Sequence, residues 1–110
     1  MSVKASIKSV RMSPRKVRAV CDEIRGQKAN WALNFLKHSQ RRAAKPLVKL
    51  LGSALANADQ KGGLDLDNLV ISHLTCDQGP TMKRWMPRAR GMATPVLKRT
   101  SQLNIVLAEK

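Results

Sequence analysis

The stretch from Gly79 to Arg99 constrains the fold of this 110-residue chain more than any other feature. It contains three prolines, each of which fixes φ and removes a backbone N–H donor, so neither a continuous α-helix nor a central strand can run through it. Strand-like runs flank it at about 69–76 and about 100–108. These features predict one long hairpin whose legs, of about ten residues each, reach roughly 30 Å beyond the sheet. We call residues 77–99 the arm.

The arm is strongly basic and contains no carboxylate between Gly79 and Arg99. An isolated two-stranded ribbon is only marginally stable in water, so a partner outside the chain must order it. The charge predicts a polyanion, and Trp85 offers a flat apolar surface for bases. A solvated surface loop is the alternative, but it would leave Trp85 exposed without a use. The predicted nucleic-acid contacts in the arm are Lys83, Arg84, Arg88, Arg90, Lys98 and Arg99.

The whole chain shares this charge, with a formal net charge of +14 and a pI near 11.0. Such an excess favours a nucleic-acid or anionic membrane surface as the partner. No apolar run reaches the roughly 20 residues of a spanning helix, and the segment 1–10 lacks the apolar core of a signal peptide. We therefore expect a single small cytosolic domain that binds no membrane.

The cysteines give no sign of a metal site. Cys21 and Cys76 are far apart in sequence, and only His38 and His73 could join them, at no familiar zinc spacing. We predict two reduced, buried thiols and no bound metal.

The N-terminal third predicts a strand and a helix. Apolar and polar residues alternate over 3–7, as in a half-buried edge strand. Ser13 and Pro14 are typical of a helix start, and Gly26 of a left-handed C-terminal cap. The apolar stripe of this helix is Val17, Val20, Cys21 and Ile24.

Basic residues occupy the opposite face of this helix and the segment before it. For any one of them a solvated helix face is as good an interpretation as a phosphate contact, but together they favour contact. The predicted nucleic-acid contacts here are Lys8, Arg11, Arg15, Lys16, Arg18 and Arg25.

A short second helix is predicted from an N-cap at Asn30 to Leu36. Trp31 and Phe35 are four residues apart on it, and we expect this pair to lie in the core. We predict that Ser39 caps a third and longest helix.

This third helix should continue to about Asp59. Pro46 would then remove one of its hydrogen bonds and bend it near 42–45. Gly52 weakens the same helix, which suggests that another element approaches closely there.

Asp65 and Asp67 precede the next strand and are predicted to be turn and capping residues rather than metal ligands. The resulting fold class is α+β, with three helices packed on a small three-stranded antiparallel sheet and a long basic β-hairpin arm projecting from it. The single domain comprises a globular part, about 1–76 plus 100–110, and the arm, about 77–99.

No catalytic constellation is present: the chain has no phosphate-binding loop, nucleophile elbow or zinc-protease motif. We predict no catalytic residue, no cofactor and no enzymatic activity. A DNA-architectural protein remains an alternative, with Trp85 or Pro87 as a minor-groove wedge. Such proteins usually dimerise, whereas this sequence leaves no evident self-complementary face, so no homo-oligomer is expected. An RNA-modifying enzyme would need a cofactor loop or a paired acid and base.

Several segments carry a family resemblance, namely SPRKVR at 13–18, IRG at 24–26, SALANA at 53–58, and DQGPTMKRWMPRARG at 77–91 followed by KRTS at 98–101. They closely resemble the bacterial large-subunit ribosomal protein L-twenty-two family. The resemblance spans essentially the whole chain in order and at matching length, and the arm motif is its most specific part.

The resemblance implies a structural constituent of the large ribosomal subunit that binds large-subunit ribosomal RNA during assembly, in the cytoplasmic ribosome. Its globular part would lie near the solvent side of the polypeptide exit tunnel, and its arm tip would line the tunnel wall. The implied partners also include neighbouring large-subunit ribosomal proteins at the tunnel and the nascent polypeptide. The implied tip is Met82, Lys83, Arg84, Trp85, Met86, Pro87, Arg88, Ala89, Arg90, Gly91, Met92 and Ala93.

The resemblance also implies roles within the tip. The cations there would face RNA phosphates and the nascent chain, and changes at Met82, Lys83, Arg84 and Gly91 would alter the response to macrolides and arrest peptides. The family commonly has arginine where this chain has Met92 and Pro95, so the returning leg should hold RNA less tightly or bend differently.

Overall fold

The computed structural model describes residues 2–63, 65–87, 89–91 and 93–109. Two short 3₁₀ turns, Leu66–Asn68 and Ala89–Gly91, accompany the regular elements. The helices and strands of these ranges are β1 (Ser2–Val10), α1 (Pro14–Ile24), α2 (Ala29–His38), α3 (Ala44–Lys61), β2 (Leu69–Gln78), β3 (Met82–Pro87), β4 (Ala93–Lys98) and β5 (Ser101–Glu109).

The last strand forms the centre of the main sheet. The order is β1-β5-β2, and both pairings are antiparallel, so that Ala5 and Leu74 both pair with Ile105. Leu103, Ile105 and Leu107 are all buried, because side chains two residues apart share one face of a strand. The α+β class is therefore confirmed.

The three helices cover this buried face. Helix α3 packs on β1 and β5, α1 packs on β2, and α2 packs on α3. The core side chains of α3 include Leu47, Leu51 and Ala54, which recur at helical spacing. With a single Phe in the chain, the core is aliphatic.

Helix α1 begins and ends where the sequence predicts. Ser13 occupies the N-cap position, although its side chain makes no cap hydrogen bond, and Pro14 is the first helical residue. Gly26 has φ of +82°, the left-handed conformation that ends many helices. Its N–H donates to the carbonyl of Ile71 at 3.1 Å, and the Ile71 N–H donates to Gln27 at 3.0 Å, which ties the helix end to β2.

The predicted start of the third helix is wrong. Ser39 ends α2, since its N–H donates to the Leu36 carbonyl, and α3 begins at Ala44. Pro46 therefore lies in the first turn of α3, where a proline leaves no helical carbonyl without its donor. The break expected at 42–45 is the start of the helix.

Two further expectations for the helices are wrong. Helix α2 begins at Ala29, with Lys28 rather than Asn30 at the N-cap. A β-carbon built at Gly52 would meet no atom within 4 Å, so none of the elements described above approaches α3 closely there. Asp65, by contrast, caps the short turn before β2 by accepting a hydrogen bond from the Asp67 N–H at 3.1 Å, as predicted.

The arm is a separate antiparallel ribbon of β3 and β4. Its pairing runs from Met82 opposite Lys98 to Pro87 opposite Ala93. The described part of the chain extends 64 × 24 × 17 Å. None of the helices in the described ranges is both long and apolar enough to cross a membrane.

Candidate nucleic-acid interface

A groove of about 1110 Å³ opens where the start of α1, the α2–α3 connection and the base of the arm meet. Residues from three separate parts of the sequence form its walls, and no carboxylate is among the described residues that line it. We call it the cationic groove. Its seven basic residues are Arg11, Arg15, Lys16, Arg41, Arg42, Lys98 and Arg99.

The packing of α1 places the first group of cations. Pro14, Val17 and Val20 are buried, so the helix presents Arg15 and Lys16 on its outer side. The preceding loop is fixed to the sheet, because the buried Ser101 hydroxyl donates to the Met12 carbonyl at 2.6 Å.

The base of the arm supplies the second group. The Gly79 N–H donates to the Thr100 carbonyl at 2.9 Å, and the Thr100 hydroxyl donates to the Pro80 carbonyl at 2.6 Å. These bonds join the two legs of the arm directly beside Lys98 and Arg99. The two legs are therefore held together at the point where the arm leaves the sheet, next to these two cations.

The floor of the groove is partly apolar. Met12, Ala19 and Leu97 line it, and 45 % of Leu97 is exposed. Cationic walls bind phosphates, and apolar surface between them accepts ribose or base faces. The groove is therefore suited to a nucleic-acid backbone.

Arg41 and Arg42 are the site residues that the sequence reasoning missed. It placed them inside the third helix, whereas they lie in the turn before it, where the Ala44 N–H donates to the Arg41 carbonyl. Arg41 also lies 3.6 Å from the Glu23 carboxylate, in a partly exposed ion pair. A dibasic pair placed just before a proline-containing first turn is a signal that could have located them.

Comparison with known proteins identifies the family of this chain. The profile of the family described as Ribosomal protein L22p/L17e matches residues 5–108. The chain belongs to this family.

Two curated relatives carry the name "Large ribosomal subunit protein uL22". The relative from Syntrophotalea carbinolica is 51% identical over 110 residues, which is 100% of both chains. The relative from Myxococcus xanthus is 49% identical over 111 residues, covering 99% of this chain and 97% of its own. Membership in L22p/L17e confirms the resemblance, and it confirms a non-enzymatic protein of the cytoplasmic ribosome.

Two of the predicted RNA-contacting arginines also have a structural role in this L22p/L17e chain. Arg18 donates from Nε to the Cys76 carbonyl at 2.9 Å. Arg25 donates from Nε and Nη2 to the Leu74 carbonyl at 3.1 and 2.9 Å, and it pairs with Asp22. Both arginines hold α1 against β2 outside the lining of the cationic groove, and Lys8 on β1 is likewise not among the lining residues. RNA contact by these three residues, like that by the other predicted contacts, stays a prediction.

The tip of the arm presents apolar and basic groups together. Trp85 is 66% exposed and Met86 is 55% exposed. Arg84 folds back, donating from Nη1 to the Lys83 carbonyl at 2.9 Å. Gly91 and Arg90 have positive φ, at the turn that reverses the chain. The predicted contacts Arg88 and Met92 lie outside the described residues.

The two cysteines of this L22p/L17e member are free and buried. The pKa of the Cys21 thiol is raised from 9.0 to about 12, chiefly by burial and secondly by the neighbouring Cys76. Burial likewise raises the pKa of Cys76. Both thiols are therefore protonated at neutral pH. The described residues contain no group of three or more metal-ligating side chains.

Proposed function

We propose that this chain is a structural constituent of the large ribosomal subunit that binds large-subunit ribosomal RNA during assembly. The cationic groove is the observation that carries this proposal. It gathers seven basic side chains from three parts of the chain onto one surface, and none of the described residues that line it is a carboxylate. Phosphate contacts of this kind fix the position of a protein on RNA without reading its sequence.

The second part of the proposal concerns the arm. Its tip lines the polypeptide exit tunnel, beside neighbouring large-subunit proteins, and meets the nascent polypeptide. Support comes from the family membership and from the shape of the arm. A long two-stranded ribbon can pass between RNA helices, where a globular surface would not fit. The exposed Trp85 and Met86 give the tip an apolar surface that has no partner within the described protein.

The salt dependence of binding tests the role of the groove. Each cation that neutralises a phosphate contributes about 0.7 to 0.9 to the slope of log affinity against log salt concentration. The double variant Arg41→Gln/Arg42→Gln should therefore bind deproteinised large-subunit RNA more weakly and reduce the slope by about 1.5. Lys37→Gln/Lys49→Gln is the matched control, since it also removes two charges, and both lysines are exposed and do not line the groove. Equal slopes for the double variant and the control would contradict the proposal.

Photo-crosslinking tests the role of the tip. A photoreactive amino acid replaces Met86 in ribosomes that carry a stalled, labelled nascent chain, and the same replacement at the exposed Gln60 of α3 is the control. The proposal predicts crosslinks to the nascent chain from position 86 and none from position 60. Crosslinks from neither position would remove the tunnel-lining role and leave the RNA-binding role intact.

A further inference from the structure

A second, smaller groove of about 350 Å³ lies on α2. The rings of Trp31 and Phe35 stack in it, with centroids 5.3 Å apart and planes inclined by 14°. Trp31 nevertheless remains 48% exposed. Asn34, His38 and Ser39 complete the lining. We call it the Trp31 groove.

The core does not require this tryptophan. The core-facing residues of α2 are Ala29, Ala32 and Leu36, all of which are buried. Trp31 lies on a different side of the helix, so the expectation that it belongs to the core is wrong. Tryptophan is enriched at interfaces, and this large ring is held by its neighbour while half of its surface stays open to solvent.

One turn connects the linings of the two grooves. Ser39 lines the Trp31 groove, and Arg41, two residues further, lines the cationic groove. The Arg41 N–H donates to the Ser39 hydroxyl at 3.2 Å, so both residues belong to one fixed turn. A strand whose phosphates follow Arg41 and Arg42 would therefore pass the edge of the Trp31 groove.

We propose that the Trp31 groove binds one unpaired base of the ribosomal RNA strand whose phosphates lie on Arg41 and Arg42. This inference rests on the proposed RNA-binding function. Proteins recognise unpaired RNA bases chiefly by stacking them on aromatic rings and by bonding to their polar edges.

The groove provides both kinds of contact. The base stacks on the Trp31 ring, which Phe35 supports by its own stacking. His38 Nδ1 lies 2.8 Å from the Asn34 carbonyl oxygen, which can only accept, so Nδ1–H donates to it. In the neutral imidazole, Nε2 is then an acceptor for a base amino group. The Asn34 amide and the Ser39 hydroxyl provide further polar groups along the rim.

Trp31 fluorescence reports the contact directly. The chain has two tryptophans, so all variants carry Trp85→Phe, which leaves Trp31 as the single emitter. Adding deproteinised large-subunit RNA should quench this emission. Trp31→Leu should weaken RNA binding by about 5- to 100-fold, the equivalent of one stacked base.

Two further readouts separate stacking from other effects. Stacking neutralises no phosphate, so Trp31→Leu should leave the salt slope of binding unchanged. Trp31→Phe keeps an aromatic face and should recover most of the affinity. Circular dichroism melts of both variants establish that they fold.

The outcomes distinguish this inference from the function on which it rests. The stacked base would be overturned, while RNA binding stands, by two results together. The folded Trp31→Leu variant would bind RNA with unchanged affinity, and RNA would not quench the Trp31 emission of the Trp85→Phe parent. Unchanged affinity for naked RNA but poorer retention in assembled subunits would assign the groove to a protein neighbour, which also overturns it. If the parent protein itself does not bind the RNA, that result contradicts the proposed function, and the stacked base is contradicted with it.

Discussion

Gly79 and Thr100 touch at the base of the arm so closely that residue 79 has no room for a side chain. The Gly79 N–H donates to the Thr100 carbonyl, and a β-carbon on residue 79 would lie 2.5 Å from the Thr100 hydroxyl oxygen. That hydroxyl already donates to Pro80 at 2.6 Å. The contact joins the two legs of the arm where they leave the sheet.

Gly79→Ala should therefore lower the free energy of unfolding by about 1 to 3 kcal/mol, because the Thr100 hydroxyl must turn away and lose its bond to Pro80. Urea denaturation measures the change. Thr100→Ala in the same chain removes the obstructing oxygen, so the double variant should lose less stability than the two single variants combined. Strict additivity would contradict the steric account.

Gly52→Ala is the matched glycine substitution. Gly52 is exposed in the interior of α3, and an added β-carbon meets no atom within 4 Å. Alanine there should raise the free energy of unfolding by about 1 kcal/mol, because it favours the helix more than glycine does. A loss of stability would show that another element approaches this position.

Arg25→Lys tests the attachment of α1 to β2. Lysine keeps the charge but cannot reproduce the two bonds from one guanidinium to the Leu74 carbonyl. We expect a loss of about 0.5 to 1.5 kcal/mol in the free energy of unfolding, measured by urea denaturation. The salt slope of RNA binding should change little, because the charge remains. Unaltered stability would mean that these bonds contribute nothing, and the predicted RNA contact would then be the main role of Arg25.

Cys21 should make stability depend on pH in the alkaline range. Burial raises the pKa of its thiol to about 12 from 9.0. Between about pH 9 and 12 the folded protein thus holds a proton that the unfolded chain releases, so the free energy of unfolding falls as pH rises there. Below about pH 9 this contribution is fully present. Denaturation at several pH values should show the decline, and Cys21→Ala should make it shallower.

The free arm should be mobile. Among the residues that the structure describes, 82–87 and 93–98 form strand pairs only with each other, and isolated two-stranded ribbons are marginal in water. We predict NMR backbone order parameters below about 0.6 in these two strands and about 0.85 in β5 for the free protein. Values near 0.85 along the arm would show that it is ordered without RNA.

The elements that sequence reasoning located well are those with local signals. Pro14 and Gly26 mark the two ends of α1, because a proline favours the first turn of a helix and a left-handed residue ends it. The alternation over 3–7 likewise predicted the strand β1, because the period of a strand is a local property of the sequence. The predicted bend at Pro46 was wrong because Ser39 offered a competing helix start. The true start of α3 depends on the α2–α3 turn, which is a tertiary feature.

The site was only partly predictable. Charge alone indicated Arg15, Lys16, Lys98 and Arg99, but it could not show that they share one groove with Arg41. Trp31 and Phe35 were correctly paired from their spacing, yet the side of α2 that faces the core depends on how α2 packs on α3. Sequence spacing contains no information about that packing.

The most direct measurement is whether the tagged protein, expressed in its own cells, sediments with the large ribosomal subunit through a high-salt sucrose cushion. Loosely held basic proteins wash off, because log affinity falls by about 0.7 to 0.9 per neutralised phosphate for each unit of log salt. The account predicts retention at about one copy per large subunit, since one arm and one cationic groove are locked into folded RNA. Release into the free or chromosomal fraction would contradict it and would favour a diffusible nucleic-acid-binding protein.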